Sequence, residues 1–313
     1  MRYSYARLGG IDTGIFRLGG TGLGNLLFPW ARFIVATHKH GLVPIYPTWF
    51  QIKLGPLLRN ERDKRFYLDL FRPPAGHIHG FRKLLLLSAL EKVQESDLER
   101  LKAQPDFIVA FKGMAGHFQP ILKDHVLVLT ELLNMIRDKH IKNLTESLRK
   151  SIGVHVRRGD FTPLKGELPA PAAVNCQIPL SWYISQIEQL RQVVGPQTSV
   201  NVFSDGSSEE LSELLALKNI RRVNFGSSVA DLLALSRSGI LVASGSTFSM
   251  WASYLGRMPV IWHAGQLKQK LYYDFEGFET ESDTNGKLPP LFLDLLEKRF
   301  SHLQTQEKHL SFH

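Results

Sequence analysis

The sequence predicts an α/β chain built on parallel sheets, and three observations carry that expectation. From Ser151 onward, short apolar strands alternate with amphipathic helices. Near the N-terminus a short strand candidate runs through a glycine-rich loop into a helix. The 313 residues, 43% hydrophobic and 21% charged, are enough for one large or two medium domains. Strands that alternate with helices require βαβ crossovers, and crossovers make parallel sheets.

In chain order, residues 14–18 read as a strand that enters Gly19-Gly20-Thr21-Gly22-Leu23-Gly24-Asn25. Leu26, Leu27, Trp30, Phe33 and Ile34 then keep helical spacing to a stop near Gly41, and Pro29 suits the first turn, where its missing N–H costs nothing. A strand, a glycine loop and a helix N-terminus together make an anion site, although a plain turn remains the alternative. It is not a P-loop, because Gly-Lys-Ser/Thr is absent. The glycine spacing also departs from the dinucleotide fingerprint, and no acidic residue follows about 20 residues on. Residues 81–102 read as partly helical, 107–111 as a strand, and 131–150 as a basic amphipathic helix leading to a linker.

The second part begins with the strand Ile152-Gly153-Val154-His155-Val156, where the aliphatics share one face and His155 and Arg157 the other. Arg158-Gly159-Asp160 ends it. A proline-rich loop (Pro163, Pro169, Pro171, Pro179) precedes a helix that Ser181 caps, with Ile184, Ile187, Leu190 and Val194 as its apolar face and Gly195-Pro196 as its stop. Strands at 200–203, 221–225, 240–243 and 260–262 alternate with helices at 209–217, 229–236 and 248–255. Residues about 150–280 therefore read as a Rossmann-like domain. The tail from Leu288 to Leu303 reads as a helix, and the last ten residues as polar and loose. The expected boundary divides 1–150 from 151–313.

The net charge of +9 favours acidic partners such as nucleotide phosphates or anionic lipid. The basic residues are dispersed and no nucleic-acid motif is present, so nucleic acid is not an expected partner. The single cysteine, Cys176, rules out an internal disulfide and reads as a small buried apolar residue. The N-terminus has no apolar run of a signal peptide, and Leu84-Leu85-Leu86-Leu87 is too short to span a bilayer. The expected location is the cytoplasm, with peripheral contact at the inner face of the membrane.

Three strand ends in the second part offer groups suited to a nucleotide: His155 and Arg157; Ser204-Asp205-Gly206; and Ser244-Gly245-Ser246-Thr247-Phe248-Ser249, which opens a helix. A guanidinium fork pairs with diphosphate oxygens, hydroxyls and amides at a helix start suit a phosphate, and a carboxylate accepts from a guanine edge. Helix capping is the competing role for Asp205 and Ser246.

His155-Val156-Arg157-Arg158-Gly159-Asp160 resembles the His-x-Arg-x-Gly-Asp signature of the α-1,2-fucosyltransferase family (glycosyltransferase family 11) and its α-1,6 and protein O-fucosyltransferase relatives. Gly22-Leu23-Gly24-Asn25, Gly116-His117-Phe118-Gln119, Leu180-Ser181-Trp182-Tyr183, Phe203-Ser204-Asp205 and Ser246-Thr247-Phe248-Ser249-x-Trp251 resemble that family's other motifs, in family order, from about Gly19 to Trp262. The chain departs from the family at Leu26, at Pro29-Trp30 and at Gly206-Ser207-Ser208, which marks a divergent member.

The resemblance implies a GT-B architecture of two Rossmann-like domains facing a cleft, with the acceptor on the N-terminal side and the donor held by the C-terminal one. It implies inverting transfer of fucose from GDP-fucose to a sugar hydroxyl of a glycan or lipid-linked oligosaccharide, without cofactor or metal; the absence of an Asp-x-Asp agrees. Arg157 would meet the leaving diphosphate, with Arg158, Ser246 and Thr247, and Gly24 and Asn25 from the other domain. By resemblance His155 and Asp205 would hold the nucleoside. Asp160 is either the general base or the structural partner of an arginine. Another nucleotide-sugar as donor, or a catalytically silent binding protein on this fold, are the alternatives.

Overall fold

The computed structural model describes residues 1–58, 65–98, 106–162, 175–272 and 278–310, and the polypeptide divides into two compact units, Met1–Asn143 with Ser227–Val229, and Leu144–Gly226 with Ala230–His313. Each unit is α/β with a parallel sheet, as the alternation of elements requires. Pro163, Pro169 and Pro171 of the expected loop, and the last residues 311–313, lie outside the described residues.

The first unit contains β1 (Arg2–Arg7), β2 (Ile11–Asp12), β3 (Arg17–Leu18), α1 (Leu23–His40), β4 (Val43–Ile45), β5 (Gln51–Ile52), α2 (Leu54–Leu58), α3 (Gly80–Ala89), β6 (Lys92–Gln94), β7 (Phe107–Lys112) and α4 (His125–Met135). Its main sheet has the order β4-β1-β7-β6, with every pair parallel. Tyr3, Tyr5 and Ile108 pack with Ile45, Ile78, Leu86 and Leu87 of α3, and Leu90 just after it. The alternate residues turn to α1, where Ser4 Oγ lies 2.7 Å from Thr37 Oγ1.

Several sequence expectations change here. The strand β1 was not anticipated: its inward residues are tyrosines, Ser4 and Ala6 between terminal arginines, so it lacks an aliphatic run, yet it pairs with neighbours on both sides. The strand expected at 14–18 shrinks to Arg17–Leu18, in a small sheet of order β2-β3-β5. Fully buried Arg17 ties that sheet down by donating to the carbonyls of Leu8, Gly9, Thr48 and Trp49. Helix α1 begins at Leu23 because Gly22 is its extended N-cap. Pro29 therefore sits in the second turn, where it withholds the N–H that the Asn25 carbonyl would accept. Gly41, in the left-handed conformation, ends the helix as expected. The segment 81–102 holds α3, β6 and a 3₁₀ turn, with 99–105 outside the described residues. The basic helix expected at 131–150 ends at Met135 and gives way to 3₁₀ turns.

The second unit contains β8 (Ile152–Val156), α5 (Leu180–Val194), β9 (Val200–Ser204), α6 (Ser212–Leu215), β10 (Ile220–Arg222), α7 (Ser228–Ser236), β11 (Ile240–Val242), α8 (Thr247–Gly256), β12 (Val260–Trp262), β13 (Glu279–Glu281) and α9 (Pro290–Leu310). The first turn of α7 is counted with the first unit. The sheet is all parallel, in the order β10-β9-β8-β11-β12-β13. Counted from β8 as one, that is 3-2-1-4-5-6, the doubly wound arrangement. Ile152, Val154 and Val156 share a fully buried cluster with Ile187 and Leu190 of α5 and Phe292 and Leu296 of α9. The other face of β8 carries Gly153 and His155, so the alternation read from the sequence also sorts the helices that cover each side.

Pro179, not Ser181, occupies the N-cap of α5, and no side chain caps it. The helix expected at 209–217 shortens to α6 because Ser207 and Glu210 form a reciprocal cap that closes the preceding turn: the Ser207 N–H donates to Glu210 Oε2 at 2.7 Å and the Glu210 N–H to Ser207 Oγ at 3.1 Å. The strand expected at 221–225 is Ile220–Arg222. Strand β13 was not anticipated, and α9 continues to Leu310 where a loose tail was expected. No helix among the described residues is long and apolar enough to cross a membrane.

Candidate functional site

The chain leaves β8 for one side of the sheet and later returns to β11 on the other, so the carboxyl ends of these two neighbours form the switch point where doubly wound sheets bind ligands. His155 and Arg157 end β8, Ser204 and Asp205 end β9, and Ser244–Ser249 follow β11 and open α8. The second unit thus brings His155, Arg157, Arg158, Asp160, Asp205, Ser246 and Thr247 to one end of its sheet. Gly24 and Asn25 belong to the first unit, where both lie in the first turn of α1, not in the loop before it. There the N–H groups of Asn25 and Leu26 already turn back to the Gly22 carbonyl, at 3.0 and 3.3 Å.

Arg157 is held on both sides. Its Nη1 lies 2.5 Å from Asp205 Oδ2 and its Nη2 2.5 Å from Asp160 Oδ1. The Phe161 ring lies 5.5 Å from its guanidinium carbon. Asp205 Oδ1 accepts the backbone N–H of Arg158 at 2.8 Å. Each oxygen of Asp205 is thus committed to the arginine pair, and its position is not that of a helix cap. Gly159 permits this approach: a Cβ there would stand 2.3 Å from Asp205 Oδ2. Asp160, the more exposed carboxylate, is an arginine partner in this arrangement. Charge-assisted contacts of this kind fix a guanidinium in place.

Arg158 turns the other way, donating from Nη1 to Gln177 Oε1 at 3.1 Å, while Gln177 Nε2 donates to the Arg158 and Phe161 carbonyls. Arg158 Nε and the hydroxyl of Tyr183 are both buried and have no hydrogen-bond partner among the described residues. Burial pushes the Tyr183 hydroxyl well above the usual phenol range, and the charge of Arg158 opposes the rise.

His155 is buried, and its Nδ1 lies 2.8 Å from Ser249 Oγ, 3.0 Å from Ser244 Oγ and 3.4 Å from Ser246 Oγ. Burial first, and the nearby charge of Arg157 second, pull its pKa down to about 3. The ring is therefore neutral at ordinary pH and adds no positive charge. Its plane tilts against Phe248, with centroids 5.0 Å apart. Ser246 is the N-cap of α8 and accepts the Ser249 N–H. Capping is thus an observed role for Ser246, and Thr247 is the first helical residue. Gly245 admits Gln266 against the turn, since a Cβ there would stand 1.8 Å from Gln266 Oε1.

Sequence reasoning missed three members. Ser244 and Ser249 lie inside the run that was singled out, but only their distance to His155 shows what they do. Gln177 carried no signal, because its partner Arg158 is remote in sequence and reached only through the fold. Among the described residues no group of three His, Cys, Asp or Glu side chains is placed to hold a metal ion. Cys176 is buried, as expected.

What the end of this sheet offers is a fixed guanidinium, a second arginine, a neutral imidazole surrounded by hydroxyls and a capped helix start. These groups suit an anionic nucleotide and not a nucleophile–base pair.

The profile of glycosyl transferase family 11 matches residues 113–266. Solved structures similar to the chain include an FUT1 mutant of Arabidopsis thaliana in complex with GDP, 13% identical with a TM-score of 0.48 over 82% of this chain and 70% of that one. The fucosyltransferase NodZ from Bradyrhizobium is 13% identical, with a TM-score of 0.47 over 82% of this chain and 95% of that one. POFUT1 in complex with GDP is 11% identical, with a TM-score of 0.43 over 83% and 97%. No curated protein sequence matches the chain. The family match bears out the resemblance read from the motifs, and with it the glycosyltransferase class.

Proposed function

We propose that this divergent, family 11-like glycosyltransferase moves fucose from GDP-fucose to a hydroxyl of a glycan, with inversion and without a metal. The observation that carries the proposal is Arg157: a guanidinium fixed at the switch point of a 3-2-1-4-5-6 sheet, within the stretch that the family profile matches.

In the proposed reaction the sugar–phosphate bond breaks and negative charge grows on the departing GDP diphosphate. Arg157 meets that charge. Asp205 keeps one of its nitrogens in place, while a phosphate oxygen replaces Asp160 on the other. A donor already aligned before the reaction stabilises the transition state without reorganisation, and loss of one such donor typically costs about 2.7–4 kcal/mol. The N-terminal turn of α8, with the Thr247 hydroxyl, takes further phosphate oxygens. Arg158, set by Gln177, adds charge beside them. His155, neutral, bounds the nucleoside side of the site. Asp160, once displaced from Arg157, is the carboxylate nearest to hand for the acceptor proton, provided it reaches hydrogen-bond distance of the acceptor hydroxyl.

The acceptor is proposed to bind the first unit, where Gly24 and Asn25 lie in the first turn of α1. The proposed acceptor is a glycan or a lipid-linked oligosaccharide, and the proposed location is cytoplasmic, with peripheral contact at the membrane favoured by the charge of +9. Salt-sensitive flotation with anionic liposomes is the expected result, and its absence would remove the membrane element alone.

The deciding test is a binding and turnover panel. GDP is expected to bind more tightly than UDP or dTDP, and GDP-fucose to release GDP slowly without acceptor, a release that Arg157→Ala abolishes. The reverse nucleotide order would assign another nucleotide-sugar, and tight GDP binding with no release from any GDP-sugar would make the protein a binder.

A further inference from the structure

The first unit has a switch point of its own, between β1 and β7, and a cavity of about 650 Å³ opens there. Its volume lies within the range of small-molecule sites, roughly 300–1,000 Å³. None of the family-like motifs above reaches it.

One wall is a helical stripe with no core to cover. Phe81, Leu84, Leu85 and Ser88 stand at i, i+3, i+4 and i+7 on α3 and line the cavity. Phe81 is 74% exposed and Leu85 51%. The core side of the same helix carries Leu86 and Leu87, of which Leu87 also reaches the cavity.

The rim is cationic. Arg7 and Lys112 end the adjacent strands β1 and β7 and are paired in register. Like charges placed opposite each other on neighbouring strands are destabilising. Neither pairs with a carboxylate among the described residues. Lys92 also lines the cavity and donates to the Leu87 carbonyl.

The one lining carboxylate among the described residues is already engaged. Asp12 accepts the Tyr5 hydroxyl at 2.5 Å and the Gly14 N–H at 2.9 Å. Tyr5 also meets Thr48 at 2.8 Å, and Lys83 donates to Thr48 at 2.9 Å and lies over the Tyr5 ring. The polar floor is therefore satisfied internally, and the free binding capacity is positive charge on one side and hydrocarbon surface on the other.

We propose that this cavity binds an anionic amphiphile: a phosphate or diphosphate ester whose head lies between Arg7 and Lys112 and whose hydrocarbon chain lies along Phe81, Leu84 and Leu85. An anion between the two cations removes their repulsion, and a chain on α3 covers a stripe that water now meets. The apolar wall has few groups to read a base edge, which favours a hydrocarbon over a second nucleotide.

The test is calorimetric titration of the full chain with farnesyl diphosphate as probe, with excess GDP present to occupy the second unit. Farnesyl diphosphate is expected to bind at least tenfold more tightly than inorganic diphosphate or farnesol. Arg7→Glu with Lys112→Glu should weaken it at least tenfold, and Phe81→Ser with Leu85→Ser at least fivefold. These side chains are exposed, apart from the lining role described, and thermal unfolding checks that each variant is folded. Arg157→Ala should leave the affinity within twofold. Equal affinity for inorganic diphosphate and the probe on the unaltered chain would overturn the proposal. So would loss of binding in Arg157→Ala, or full binding in the Arg7 and Lys112 double variant. The measurement reads binding and not transfer, and the variants in β1, β7 and α3 locate it in the first unit whether or not GDP occupies the second, so its failure is distinguishable from that of the transferase reading.

Discussion

The two units build the same kind of place in opposite electrostatic styles. Both present groups at the carboxyl ends of adjacent parallel strands, at the point where the chain changes direction across the sheet. In the second unit the central cation is held by carboxylates, Arg157 by Asp160 and Asp205, while Arg158 is set by Gln177 and the imidazole of His155 is neutral among serines. In the first, Arg7 and Lys112 stand side by side, neither paired with a carboxylate among the described residues, beside exposed hydrocarbon. In the proposed transfer, a guanidinium that meets developing charge gains from being fixed beforehand, and carboxylates fix it. A rim proposed only to attract a head group needs no such alignment, and unneutralised charge serves it better.

The largest expected effect falls on the fixed arginine. Arg157→Ala should lower kcat by roughly 10²–10³-fold, with kcat/KM falling alongside. Arg157→Lys should recover little, because an ammonium lacks the planar fork. An activity loss confined to KM would instead make the arginine a uniform binder and weaken the contrast between the units.

Next comes the lock itself. Gly159→Ala puts a Cβ where Asp205 Oδ2 now lies, 2.3 Å away. Asp205 must shift, and a charge-assisted hydrogen bond worth roughly 1.5–3 kcal/mol is lost from Arg157. GDP affinity should fall about tenfold with circular dichroism unchanged. Unaltered affinity would show that Asp205 does not position the arginine.

The buried imidazole predicts an acid-side loss of stability. Burial holds the His155 pKa near 3, below its ordinary 6.5. Between those values the unfolded chain binds the proton and the folded one does not, so stability is complete above about pH 6.5 and declines as pH falls towards 3. His77, lowered to about 4 chiefly by burial, acts in the same direction in the first unit. Urea midpoints measured across this window should fall less steeply in His155→Gln than in the unaltered chain. An equal slope would mean that the imidazole is already protonated in its serine cage.

The smallest effect concerns Lys83. Burial lowers its pKa from 10.5 to about 8. Stability should therefore rise as pH climbs from about 8 to 10.5, since only the unfolded chain keeps the proton there. Lys83→Met should remove that rise and be neutral to mildly stabilising at pH 7, by up to about 1 kcal/mol, because a buried charge is no longer desolvated. A large loss of stability would show that the Thr48 contact outweighs the desolvation.

Much of the second unit was legible from the chain. The aliphatic alternation of Ile152, Val154 and Val156 survives as one face of β8, and α7, α8, β11 and β12 lie within a residue or two of their expected positions. Clear periodicity did this, because a residue's face on a strand or helix depends on its neighbours in sequence. The first unit was harder. Its central strand β1 hides in tyrosines and small residues, and α1 starts three residues early, which moves Gly24 and Asn25 from loop to helix. At the site, the run 244–249 was visible, but the roles of Ser244 and Ser249 were not.

By itself the sequence determined the α/β alternation, the family signature and the residues that end each strand, because all three are written within a few positions of one another. Only the tertiary structure decided that the second sheet runs 3-2-1-4-5-6, that Asp205 serves Arg157 and Arg158, and that Arg7 meets Lys112 beside an uncovered stripe of α3. Those facts are pairings across tens of residues. They are set by which strands lie side by side and what their ends can neutralise, and no local pattern records that choice.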